Sequence, residues 1–120
     1  MNRLQHFLRA KTQFNLHSPF LYGLYTEVLF SRAEGAPHGR FAGVVWRLER
    51  HYDVVASRAG DSASLLTPEG RFLVVDHPHR DESRWNSIIS DPQWKATIDL
   101  FSVGIAVDNP RLSKQHFILR

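Results

Sequence analysis

A chain of 120 residues, 42% hydrophobic and 22% charged, suffices for one globular domain that buries roughly two-thirds of its unfolded surface. It contains no cysteine, which excludes disulfides, thiolate nucleophiles and cysteine-based zinc sites. No apolar run is long enough to cross a bilayer and the amino terminus lacks a signal peptide's apolar core, so the expectation is a cytoplasmic protein without a membrane partner.

The net charge of +3 is unevenly spread, because residues 1–50 carry seven of the 15 basic residues but only three of the 12 acidic ones. Arg3, Arg9 and Lys11, with His6 and His17, precede any acid. Leu4, Phe7 and Leu8 recur at helical spacing among them, which predicts a short basic amphipathic helix over residues 2–11. Such a helix can meet nucleic acid, anionic lipid or an acidic protein, but a solvated helix face is the simpler reading. Nucleic acid is therefore not an expected partner.

Ser18-Pro19 reads as a helix cap followed by proline in the first turn. The apolar stripe from Phe20 to Phe30 predicts a second helix. Ser31 to Gly39 reads as a loop. Phe41, Val44, Val45 and Leu48 predict a third helix over Arg40–His51, weakened by Gly43. Tyr52 to Ser57 is expected as a strand and Asp61–Leu66 as a brief capped helix. Thr67-Pro68-Glu69-Gly70 is a turn, since proline presets one backbone angle and glycine accepts a positive one.

Arg71 to Val75 is a continuous β-rich run. Such a run suggests a strand covered on both faces, and with the strand before it a right-handed parallel crossover. Asp81–Asp91 is expected as a helix carrying Trp85, Ile88 and Ile89. Strands at Ala96–Leu100 and Gly104–Val107 are joined by a tight turn, and His116–Leu119 is a last extended piece. Phe20, Tyr22, Tyr25, Trp46, Trp85 and Trp94 fall at core spacing rather than interleaved with basic residues, so they predict packing and not base stacking.

The polar cluster just past the central strand, Asp76, His77 and His79, is where an open α/β sheet binds ligands. The two histidines would share one side if the strand continued, and imidazoles beside a carboxylate suit zinc. Pro78 disturbs that geometry and no further ligand is identifiable, so no metal is expected. A histidine beside a carboxylate also suits a general base, yet no nucleophile or oxyanion donor accompanies it. Asp76, His77 and His79 are thus the catalytic candidates, beside the plainer reading of a hydrogen-bonded loop. His17 reads as a structural group beside the cap, and Asp99, in an apolar strand, as a paired carboxylate.

Both ends of the chain carry recognisable patterns. His17-Ser18-Pro19-Phe20 is followed by Tyr22 and Tyr25. Later come Leu66-x-Pro68-x-Gly70, Asp76, His79, Trp85, Pro92, Thr97-Ile98-Asp99-Leu100-Phe101 with Gly104, and Lys114-x-His116-Phe117-x-Leu119-Arg120. In this order they resemble a family of class I S-adenosylmethionine-dependent methyltransferases common in Bacteroidetes, over roughly residues 10–30 and 52–120. The resemblance implies a truncated Rossmann-like α/β sheet, mixed, of about four or five strands with a carboxyl-terminal hairpin, plus amino-terminal helices. One domain then spans 1–120: a helical segment over 1–30, a loop over 31–39 and a partial methyltransferase-like core over 40–120.

The same resemblance marks what is missing. Enzymes of this kind hold the cofactor on a Gly-rich turn after the first strand and on an acid after the second. Here no G-x-G turn follows a strand, and residues 31–50 are too few for two βα units. Ser57-Arg58 and His77 also stand where relatives carry acids. The sequence thus looks like the family with its cofactor-binding part deleted. It implies a non-catalytic binding domain, without a cofactor, that pairs with itself or with a full-length relative. The alternative is an enzyme whose S-adenosylmethionine site is unconventional or supplied by a partner.

Overall fold

The computed structural model of the protein describes residues 19–29 and 34–119. The expected helix over residues 2–11, the Ser18 cap and His17 lie outside them. Helix α1 starts as Pro19–Gly23 and widens into a π-helical stretch over Leu24–Leu29. The expected apolar stripe is its buried side, with Leu21, Leu24, Val28 and Leu29 all inside. Helix α2 (Arg40–Tyr52) buries Gly43, Val44, Val45 and Leu48. Each fully buried side chain of valine or leucine size contributes about 1.5–3 kcal/mol. The helix stops at Asp53, whose left-handed backbone (φ 54°) turns the chain away.

Six strands follow: β1 (Ser57–Ala59), β2 (Ser62–Thr67), β3 (Gly70–Asp76), β4 (Ala96–Asp99), β5 (Val103–Asp108) and β6 (Gln115–Ile118). They form one mixed sheet in the order β1-β2-β3-β5-β4-β6. The chain is an α/β protein with one strand more than the four or five expected.

Its first half departs from expectation. Tyr52 closes α2, and residues 62–67 form a strand rather than a helix. Ala63, Leu65 and Thr67 point inward while their neighbours are more exposed, a two-residue period that only a strand satisfies. The Thr67–Gly70 turn then acts as a two-residue hairpin loop, with Thr67 opposite Gly70. The turn itself fixes this outcome. Gly70 has φ 120°, and a Cβ there would collide with the Asp108 carbonyl, so only glycine lets β3 start so close to the loop. Strands β1, β2 and β3 are therefore an antiparallel meander, not a parallel crossover. Strand β3 is buried because it lies centrally, between β2 and β5.

The second half follows expectation more closely. Helix α3 (Glu82–Ser90) crosses from β3 to β4. Strand β5 returns antiparallel between them, so β3 and β4 run the same way, and β6 adds parallel to β4. Alternation along the strands gives two faces. One face, with Leu65, Phe72, Val74, Ile98 and Ile105, joins α1 and α2 in the main core. On the other face the Trp85 ring of α3 lies so close over Gly104 that a Cβ there would come within 2.7 Å of it. No described helix is long and apolar enough to cross a membrane.

Candidate functional site

Asp76 is the last residue of β3, and its amide donates to the Asp61 carbonyl at 2.8 Å. His77 then adopts a left-handed backbone (φ 46°), and its amide donates to the Ser102 carbonyl at 2.9 Å. That reversal ends the strand, and Pro78–Arg80 form a single 3-10 turn. The two histidines consequently diverge.

His77 stays at the surface. Its Nδ1 sits 2.7 Å from Asp76 Oδ1, with side chains 41% and 34% exposed. His79 turns inward, 10% exposed, between two carboxylates. Its Nε2 lies 2.5 Å from Asp99 Oδ2 and its Nδ1 lies 2.8 Å from Glu82 Oε1. The ring stacks on Phe101 at 5.7 Å between centroids. Asp99 is 1% exposed, and its other oxygen accepts the Phe101 amide at 2.8 Å.

The expected shared side of His77 and His79 does not form, because the left-handed residue and the proline replace the strand that would have aligned them. Among the described residues, no group of three or more His, Asp or Glu side chains is placed to hold a metal ion.

The chemistry of the two histidines differs accordingly. Both ring nitrogens of His79 face a carboxylate oxygen at hydrogen-bond distance, so neither nitrogen is left to meet a substrate. His79 is a clamp between the β3–α3 loop and the β4–β5 turn. His77 has one carboxylate orienting one ring nitrogen, which is half of a general-base arrangement. Asp76 is the ring's only hydrogen-bond partner among the described residues.

Glu82 escaped the sequence reading, although its position three residues after His79 and at the start of a helix was a usable signal. The identity of the partner for Asp99 was not legible, because it lies 20 residues away across the inserted strand.

Several tail residues that carry the methyltransferase resemblance have anchoring roles. Lys114 Nζ donates to the carbonyls of Asp91 and Trp94, each at 2.6 Å. His116 Nδ1 meets Thr97 Oγ1 at 2.6 Å, which ties β6 to β4 through side chains as well as backbone. Trp85 and Trp94 are buried, as their spacing predicts.

Fold and site together define the class: an α/β protein with a six-strand mixed sheet and a histidine–carboxylate cluster at the carboxyl end of its central strand. Comparison of the chain with protein-family models, curated proteins and solved structures finds no match.

Proposed function

We propose that the chain is a shortened relative of class I S-adenosylmethionine-dependent methyltransferases that no longer transfers methyl groups and serves as a binding or assembly module. The observation that carries this reading is the edge of the sheet at β1, beyond which no further strand lies among the described residues. All three of its residues are exposed. Among the described residues, the exposed large hydrophobic side chains are Val55, 88% exposed, and Leu66, 71% exposed. The β1–β2 register pairs Ser57 with Ser64, so extending it by two residues brings Val55 opposite Leu66. A short strand with no sheet partner on its outer side among the described residues, flanked by two exposed apolar side chains, favours addition of a strand from another chain. A second copy or a full-length relative would supply that strand.

The clamped state of His79 is in keeping with this reading, since the most enclosed ring of the cluster holds loops together. The β3–α3–β4 crossover with its inserted hairpin strand agrees with the terminal part of a Rossmann-like methyltransferase sheet, while the β1–β2 hairpin differs from it.

One observation favours a second reading. The half-buried Asp76–His77 pair lies where an open α/β sheet binds ligands, which suits an enzyme completed by a partner's cofactor site. Calorimetric titration with S-adenosylmethionine, beside S-adenosylhomocysteine, separates the two. Absence of heat at millimolar cofactor, alone and with a full-length relative present, is the expected result. Micromolar binding in either case would sink the non-catalytic reading.

A further inference from the structure

At the opposite end of the sheet from Asp76, two adjoining hollows share Phe20 and Glu69 as walls. The smaller, of about 180 Å³, is closed by Leu24 and Val28 of α1 and by His51 and Tyr52 of α2. The larger, of about 490 Å³, runs along the β2–β3 turn to the segment around Arg111.

Glu69 is held firmly for a turn residue. Its amide donates to Thr67 Oγ1 at 3.1 Å, and that hydroxyl donates in turn to the Gly70 carbonyl at 2.9 Å. The Tyr52 hydroxyl donates to Glu69 Oε2 at 3.0 Å. Tyr52 is itself fixed by packing against Phe72 at 5.4 Å, and His51 stands edge-on to it at 4.7 Å. Phe20 meets Phe72 edge-on at 6.4 Å. Burial first, and then the Glu69 hydrogen bond and charge, push the Tyr52 phenol well up, so it stays a donor throughout the physiological range.

An oriented carboxylate at the mouth of an aromatic-walled hollow has a definite ligand preference. One phenol hydrogen leaves most of the acceptor sites of the carboxylate unused. Aromatic faces attract cations, and the apolar wall of Leu24 and Val28 suits a short hydrocarbon chain. An anion is repelled by Glu69, whereas a neutral apolar molecule gains nothing from it. We infer that the smaller hollow binds the primary ammonium group of a small organic amine, with Glu69 as its counter-ion, Tyr52 holding Glu69 in place and Phe20 against its alkyl chain. This inference is independent of the methyltransferase reading, because it uses neither the β1 edge nor the Asp76–His77 pair.

The test is an amide-resolved NMR titration of the full chain with n-butylammonium chloride, with sodium butyrate as the control of equal size and opposite charge. Saturable shifts at Tyr52, Glu69 and Gly70 are expected in the millimolar range, with none from butyrate. Glu69→Gln keeps the shape and hydrogen bonding of the exposed side chain but removes its charge. It should weaken the amine by about fivefold or more, while amides distant from the turn keep their positions and report an intact fold. Tyr52→Phe, which frees the carboxylate from its tether, should weaken it by a smaller factor. Equal shifts with butyrate, unchanged affinity in Glu69→Gln, or no saturation with the amine would each overturn the inference.

Discussion

Asp99 is 1% exposed and faces His79 Nε2 at 2.5 Å, while its other oxygen takes the Phe101 amide. A carboxylate this deep depends on such partners, because removal from water costs several kcal/mol that only hydrogen bonds and charge offset. Replacing the imidazole with an apolar side chain therefore strands the carboxylate. His79→Leu is expected to destabilise the protein by about 3–5 kcal/mol, measured as a shift of the urea midpoint. The double variant His79→Leu with Asp99→Leu should lose clearly less than the two single losses combined, because no buried charge remains to be satisfied. Strict additivity would show that the pair is not coupled and that His79 is not the clamp described above. Of this arrangement, the sequence revealed that Asp99 needed a partner; an isolated acid among Ile98, Leu100 and Phe101 is legible as such. Which partner it takes is a matter of the sheet, since β5 sits between β3 and β4 and brings residue 79 over residue 99.

At the scale of the elements, local periodicity and local caps explain what was readable. Helix α3 begins where Asp81 accepts the Arg84 amide at 3.1 Å, an N-cap that satisfies one of the helix's first free amides. Asp81→Ala is expected to cost about 1 kcal/mol. The loss should appear first as faster hydrogen exchange at the amino-terminal amides of α3, and unchanged exchange there would remove the cap from the account. Helices α1 and α2 were legible from the helical spacing of their apolar residues, and strands β3, β4 and β5 from apolar, β-rich runs next to turn residues.

Strand β2 was not. Ser62-Ala63-Ser64-Leu65-Leu66 follows an acid that can cap a helix, and its small residues fit either conformation. Pairing decides it: β2 gains its backbone partners from β1 and β3, which a helix of five residues could not match on its own.

At the scale of the whole molecule, the sheet closes unequally. Strand β4 is buried throughout, whereas β1 is exposed along its length and lies beside Val55 and Leu66. If that edge joins chains, the unaltered protein should show concentration-dependent association by light scattering. Leu66→Lys should abolish it, since a charged side chain on an edge opposes strand addition. Its melting temperature should change little, because the side chain is already in water. Association that survives Leu66→Lys would move the interface elsewhere.

By itself the sequence determined the class of the protein, the positions of most helices and strands, and the place of a polar cluster after the central strand. These depend on hydrophobic period, turn residues and caps, which act over a few neighbouring positions. Tertiary structure alone decided that residues 57–76 form an antiparallel meander, that His77 and His79 part company, and that Tyr52 of a helix reaches Glu69 of a hairpin turn. Each of these joins residues distant in the chain, where strand order and the direction of a single left-handed residue matter more than any local preference.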